Sequence, residues 1–171
     1  MFHIFDIPVK KRNHYEMPLD AAFMSGISNQ GLRSDRVPSK ITLGYKAMLE
    51  AANAVVKSLT PDEAITLQKH EDVVFVDLRD PRELTREGKI PGAFHCTRGM
   101  LEFWIDPESP YAKPIFQEDK TFVFYCASGW RSALSARTAQ EMGLGPVAHV
   151  TGGFTTWRAA GGEVEKVESR G

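Results

Sequence analysis

The stretch FVFYCASGWRSALSA, residues 122–136, ends an apolar run on Cys126 and sets Arg131 five positions later. Ala127, Ser128 and Gly129 are small, so the backbone can curl tightly round a sulfur, and Gly129 admits a positive φ. A helix starting near Arg131 directs its free N–H groups back at the loop. The helix dipole, the amide donors and the guanidinium each stabilise a thiolate, the nucleophilic form of cysteine. Arg131 also carries a fork of donors that binds two oxygens of an oxyanion, so the same loop would hold an anion delivered to the sulfur. A lone cysteine at a strand end is most often a buried structural residue. Followed by two small residues, glycine, tryptophan, arginine and a helix, Cys126 reads instead as a reactive thiol.

Elsewhere the chemistry-bearing residues are sparse. Cys96 and Cys126 are the only cysteines, too few for a disulfide framework, and a reducing compartment leaves both as thiols. Cys96 reads as a small buried residue on a short strand, with a resolving thiol for Cys126 as the second reading. His3, His14, His70, His95 and His149 are scattered, and the chain has no CxxC, HExxH or Cys/His cluster, so no metal site is expected.

The elements that must position Cys126 follow from pattern. TPDEAITLQKH opens with Thr60 as N-cap, Pro61 in the first turn and Glu63 to complete a capping box. DVVFVDL predicts a buried strand over Val73–Leu78, and DPRELTREG a turn and short helix closed by Gly88. IPGAFHC is short and extended, and Thr97 is the expected cap of a helix through RGMLEFWI. Asp106–Pro107 and Ser109–Pro110 break the chain into a loop. KTFVFYC is the second strong strand. RSALSARTAQEM is a helix with Leu134, Thr138 and Met142 on one side and Gly143 as its stop. VAHVTG is a third strand, and FTTWRAAGG a last short helix with Gly152 and Gly153 allowing the tight turn before it. Strands alternating with helices mean an α/β domain with a mainly parallel central sheet, and Cys126 sits where such folds place their sites.

Upstream, GYKAMLEAANAVVK predicts an amphipathic helix from about Leu43 to Lys57, with Tyr45, Met48, Leu49, Ala52, Val55 and Val56 on one stripe. Residues 1–40 read as an N-terminal extension, a poorly ordered arm after a possible short strand FHIFDI, with a partner-docking segment as the alternative. The implied division is 1–40 extension, 41–58 packed helix, 59–165 domain and 166–171 tail. The loop 98–116 carries Met100, Leu101, Phe103, Trp104, Tyr111 and Phe116. Part of that load must pack on the domain; the rest is left open between a lid over Cys126 and a docking surface.

Composition excludes other classes. The chain has 171 residues, 42% hydrophobic and 25% charged, with a net charge of −1, so neither a general nucleic-acid surface nor a membrane surface is indicated. No apolar run approaches the roughly 20 residues that span a bilayer, and MFHIFDIPVKKRNHYE is not built as a secretory leader, so a cytoplasmic protein is expected.

Four segments in register resemble the rhodanese-like (sulfurtransferase) family, single-domain type, over about residues 60–163. VFVDLRDPREL resembles its strand ending Val-Asp-x-Arg, GKIPGAFH its Gly-His-Ile-x-Gly-Ala segment, FYCASGWRSA its active-site loop, and GGFTTWRAAGG its closing glycine–tryptophan motif. The resemblance implies a doubly wound α/β fold round a five-stranded parallel sheet flanked by helices. It implies that Cys126 takes a sulfane sulfur from a small donor such as thiosulfate or a persulfide and passes it to a thiol or cyanide acceptor, with a protein acceptor as a further partner. No metal or organic cofactor is implied. Ala127, Ser128, Gly129, Trp130 and Arg131 become the substrate-binding loop, with Arg98 as a second anion contact weighed evenly against a solvated helix start. Asp77 and Arg79 become structural ion-pair residues with Glu83 as the expected partner of Arg79, and Trp157 becomes core packing.

Lys89 stands where the family usually has histidine, at a surface position, and Trp130 where smaller residues are common, lining the pocket mouth or its rim. The loop's single cation, Arg131, weighs against a dianion such as thiosulfate as the natural donor. Two rivals remain. Phosphatase or arsenate reductase chemistry uses five residues between cysteine and arginine, and here there are four, Ala127 to Trp130. A non-catalytic binding module, or a carrier dependent on one protein partner, is the alternative that retained Cys126 argues against only in part.

Overall fold

The computed structural model describes residues 40–168. The expected strand FHIFDI and the arm round it, and the last residues of the tail, lie outside the described residues. Five strands form one wholly parallel sheet in the order β1-β5-β4-β2-β3: β1 is Lys57–Leu59, β2 Val73–Asp77, β3 Phe94–His95, β4 Thr121–Tyr125 and β5 Val147–Val150. Parallel neighbours need crossovers: among the described residues, four of the six helices, with two 3₁₀ turns, connect the strands, while the first helix precedes β1 and the last follows β5. The helices are α1 (Tyr45–Asn53), α2 (Pro61–Leu67), α3 (Pro81–Glu87), α4 (Leu101–Ile105), α5 (Trp130–Glu141) and α6 (Gly153–Ala159), and the 3₁₀ turns are Arg98–Met100 and Pro114–Gln117.

β2 and β4 are buried on both faces, which is why they read as continuous apolar runs. Alternation along β4 sends Phe122, Phe124 and Cys126 into one core with Val74, Val76, Leu101, Phe116, Ala136 and Ala139, and Val123 and Tyr125 into another with Phe75, Phe154 and Trp157. The period of two thus aims the Cys126 side chain at the α5 side of the sheet. Trp157 is buried, as expected of a core residue, and its indole N–H donates to Glu163 O at 2.9 Å.

The capping box of α2 forms as Thr60 and Glu63 predict. A second one opens α3, with Asp80 and Glu83 bonded reciprocally and Gly88 closing the helix at φ 78°. Several expectations shift. The upstream helix stops at Asn53, and Lys57, read as its end, begins the edge strand β1. A three-residue strand is too short to announce itself by alternation. Of the expected stripe, Ala52 and Val56 are buried, while Tyr45, Met48 and Val55 are exposed. Thr97 makes no side-chain cap, and a 3₁₀ turn precedes α4.

On α5 the buried face is Ser132, Ala133, Ser135, Ala136 and Ala139, and Met142 is exposed. Close packing on the sheet selects small side chains there, so the bulkier Leu134–Thr138–Met142 stripe misleads as a guide to the core. In the loop after β3, Leu101 and Phe116 are buried and Trp104 packs edge-on to Phe94, while Phe103 and Tyr111 are exposed. Among the described residues no helix is long and apolar enough to cross a membrane.

Candidate active site

From β2 the chain goes out to β3, and from β4 it goes to β5 on the opposite side. The gap between the carboxyl ends of β2 and β4 is therefore the topological switch point, where open α/β sheets bind ligands. Cys126 leaves β4 there and Asp77 leaves β2.

The loop after Cys126 is held from behind. Cys126 O accepts from Phe154 N at 2.7 Å, and Ala127 O accepts from Thr155 N at 3.1 Å and from Thr155 Oγ1 at 2.9 Å. Both carbonyls thus face the start of α6. A planar trans peptide places its N–H opposite its C=O, so the amides of Ala127 and Ser128 turn away from α6. Gly129 N-caps α5 at φ 88°. Among the described residues none of the backbone amides from Ala127 to Ser132 donates to a protein acceptor. Six such donors in succession beside Cys126, a residue only 1% exposed, form a cradle for an anion.

The close approach explains the paired glycines. A Cβ on Gly153 (φ 62°) would lie 2.3 Å from Cys126 O and 2.8 Å from Gly129 N, and one on Gly129 would lie 2.9 Å from Gly152 N. Gly153 therefore does more than permit a turn: it lets the β5–α6 corner press against the Cys126 loop.

Arg131 points its fork at a carboxylate. Its Nη1 and Nη2 donate to the two oxygens of Glu83 at 2.9 and 2.8 Å. Those hydrogen bonds hold the Glu83 carboxyl down at about 2 and the Arg131 guanidinium above its ordinary value, with the nearby Cys126 sulfur adding to the latter. The expected Arg79–Glu83 pair is thus corrected. Arg79 is fully buried and donates through Nε and Nη2 to Asp77, through Nη2 to Gly88 O at 2.8 Å and through Nη1 to Glu87 at 3.4 Å. Its guanidinium lies 4.0 Å from the Phe154 ring centroid. Burial alone favours neutral arginine, but the Asp77 carboxylate reverses this and holds Arg79 above its ordinary value. One helical turn along α3 separates the partner that Arg79 takes, Glu87, from Glu83, and sequence spacing does not distinguish them.

Among the other expected residues, Ala127 is half-buried and Ser128 exposed. Trp130 is 57% exposed and lies against Tyr45 of α1, ring centroids 5.4 Å apart. Arg98 pairs with Glu102 at 2.9 Å, one turn on. Cys96 is buried, which pushes its thiol up to about 12. Lys89 donates to Ala93 O and pairs with Glu165 at 3.5 Å. Two contributors escaped the sequence reading. Thr155 bonds the loop, and its signal was its place just after the two glycines. Ser132 Oγ lies 3.8 Å from Cys126 Sγ, and its place after Arg131, on the first turn of α5, was the available clue.

A family model described as rhodanese-like domain matches residues 60–160. The chain belongs to that family. This rhodanese-like chain is 31% identical over 112 residues to the thiosulfate sulfurtransferase GlpE of Pseudoalteromonas translucida, covering 66% of the chain and 96% of the relative. Among solved structures, a protein of unknown function from Rhodopseudomonas palustris, described as a possible tyrosine phosphatase, is 67% identical with a TM-score of 0.74, covering 76% of this chain and all of that one. The polysulfide-sulfur transferase homodimer of Wolinella succinogenes is 28% identical with a TM-score of 0.56, covering 74% of this chain and 90% of that one.

Proposed function

We propose that the chain is a sulfurtransferase in which Cys126 carries a persulfide. The observation that carries this reading is the run of six amides, Ala127 to Ser132, that find no acceptor among the described residues round the buried Cys126. A persulfide is an anion extended by one atom, and fixed donors stabilise it without reorganising. In the first step the Cys126 thiolate attacks the outer sulfur of the donor. The donor's bond to that sulfur breaks, S–S in thiosulfate or a persulfide and C–S in 3-mercaptopyruvate, and its electron pair leaves on sulfite, on a thiolate or on the enolate of pyruvate. In the second step an acceptor thiolate or cyanide attacks the outer persulfide sulfur, and the pair returns to Cys126. The relatives named as sulfurtransferases support this class of chemistry.

Ala127, Ser128, Gly129 and Arg131 hold the bound sulfur group, and Trp130 forms the mouth. Arg98 is committed to Glu102 and contributes little to anion binding. Because Glu83 already occupies the fork of Arg131, a monoanionic persulfide donor suits the loop better than thiosulfate. Asp77, Arg79, Glu83 and Trp157 act as support. Free buried Cys96 and Cys126 fit a reducing compartment such as the cytoplasm.

Phosphatase chemistry, the class attached to the Rhodopseudomonas structure, is the second reading. It asks the loop to bind a dianion, with four residues between Cys126 and Arg131 and the arginine fork already taken. Intact mass separates the readings. The protein and Cys126→Ser are incubated with thiosulfate, 3-mercaptopyruvate or glutathione persulfide, and p-nitrophenyl phosphate turnover is measured alongside. One added sulfur atom, removed by cyanide and absent in the variant, is the expected result. No added sulfur from any donor, with the thiol reduced and the protein folded, returns the chain to a binding module or a partner-dependent carrier. Phosphate ester turnover lost in Cys126→Ser favours the phosphatase.

A further inference from the structure

Cys126 Sγ and Ser132 Oγ lie 3.8 Å apart, both side chains buried, and Ser132 Oγ also donates to Gly129 O at 3.0 Å. A hydroxyl has one proton and two lone pairs. With Cys126 as a thiol, the S–H donates to Ser132 and the hydroxyl proton goes to Gly129 O. A thiolate has no proton to give, and the arrangement then leaves it facing hydroxyl lone pairs. A rotation about the Cβ–Oγ bond turns the hydroxyl proton onto the sulfur, and Gly129 O keeps its bond from Ala133 N at 3.0 Å. The change therefore strands no buried acceptor.

We infer that Ser132 is a further catalytic residue, a hydroxyl that switches from Gly129 O to the Cys126 sulfur whenever that sulfur carries negative charge. This rests on the sulfurtransferase reading only for its second consequence. The first is that the hydroxyl favours the thiolate of the free protein. The second concerns sulfur delivery: as the acceptor's lone pair bonds the outer sulfur, the S–S bond breaks and its pair falls on Cys126 Sγ, where the Ser132 proton meets it. Amides fixed by the loop serve the outer sulfur, and Ser132 serves the inner one.

The titratable groups round the sulfur are common to wild type and variant, so the difference between the profiles reads Ser132; His149, which faces the sulfur's side of the sheet from β5, is held below its ordinary value by burial. Arg131, on the same helix, stays charged. Glu83, reaching it from α3, titrates at about 2, and Cys96, in the same apolar cluster, at about 12. The β5–α6 corner, Thr151-Gly152-Gly153, carries no charge.

The test is the pH profile of Cys126 alkylation by iodoacetamide, followed by mass spectrometry in wild type, Ser132→Ala and Ser132→Thr between pH 5 and 10. Losing one hydrogen bond to a charged sulfur moves the Ser132→Ala midpoint up by about one pH unit. Ser132→Thr, which keeps the hydroxyl, stays near wild type. In single-turnover transfer from preloaded protein to cyanide, Ser132→Ala is slowed roughly tenfold by the same loss. A Ser132→Ala profile that superimposes on wild type overturns the inference, as does a Ser132→Thr profile displaced as far as that of Ser132→Ala. Should Ser132→Ala fail to fold, Ser132→Gly removes the hydroxyl with the same expectation. Alkylation needs no sulfur donor, so a shifted profile in a protein that accepts no sulfur sinks the sulfurtransferase reading and leaves the role of Ser132 standing.

Discussion

Arg79 and Arg131 are both held by carboxylates that flank the β2–α3 turn, yet they sit in different dielectric surroundings. Arg79 and Asp77 have no exposed side-chain surface; Arg131 keeps 40% of its own and Glu83 keeps 18%. Around Arg79 every direction is filled, by Asp77, Glu87, the Gly88 carbonyl and the face of Phe154. Around Arg131 one side remains open to solvent. A buried pair cannot lose one member without stranding a charge, whereas an exposed pair can exchange its partner for water or for another anion. The first pair therefore fixes where the chain turns after β2, and the second sets how much positive charge the Cys126 loop presents. Two similar ion pairs within one motif do different work because burial differs.

Removing the buried carboxylate is the largest test of that contrast. Asp77→Ala is expected to lose about 3–5 kcal/mol of stability by urea unfolding, since Arg79 would be left buried and unpaired. Glu83→Gln, which retains an oxygen for the Asp80 capping bond, is expected to lose about 1 kcal/mol or less. Equal losses in the two variants would mean that burial is not what separates the pairs.

Activity should respond in the opposite sense. Glu83→Gln releases the Arg131 fork to an incoming dianion, so kcat/KM for thiosulfate is expected to rise roughly fivefold, and to fall back as salt is added. The gain for a monoanionic donor such as 3-mercaptopyruvate should be smaller than for the dianion thiosulfate. A fall in thiosulfate turnover would show that Glu83 is needed to place Arg131 rather than to neutralise it.

Acid unfolding gives a third reading of the exposed pair. The Glu83 carboxyl titrates at about 2 in the folded protein, below its ordinary 4.5. Its contribution is thus complete above about pH 4.5 and is lost as the pH falls toward 2. The stability difference between wild type and Glu83→Gln, of order 1 kcal/mol near neutrality after screening, should shrink through that window and vanish at its foot. A difference that stays constant from pH 6 to pH 3 would assign it to something other than the ion pair.

Much of this was legible in the chain before the fold was known, and the exceptions have a common cause. Caps, buried strands and the cysteine–glycine–arginine loop are local patterns, and they lie where Thr60, Val73–Asp77 and Cys126–Arg131 indicate. What sequence did not settle was choice among equivalent partners. Glu83 and Glu87 sit one turn apart on α3, and only the sheet order, which sets α5 across the switch point from α3, gives Glu83 to Arg131. Likewise the glycines at 152 and 153 announced a turn, but their contact with the Cys126 loop is a tertiary fact with no local signature. Ser132 was hidden by its type, because a serine in an Ala-rich helix face reads as small packing until its distance to the sulfur is measured.

The smallest expected effect lies at the rim. Trp130 extends from the loop and rests on Tyr45, and α1, which carries that tyrosine, lies before residues 60–160, the span matched to the family. The floor of the site is made of backbone fixed by glycine contacts, while part of its mouth is set by a helix the family match does not include. Truncating the floor should stop the reaction; truncating the mouth should only re-rank acceptors. Tyr45→Ala removes an aromatic contact of about 0.5–1.5 kcal/mol and frees the Trp130 ring to move. The preference for an aromatic thiol over cyanide, measured as a ratio of kcat/KM values, should change by about threefold, in line with the lower half of that energy. A ratio unchanged in both Tyr45→Ala and Trp130→Ala would remove the aromatic pair from the site and leave α1 as packing alone.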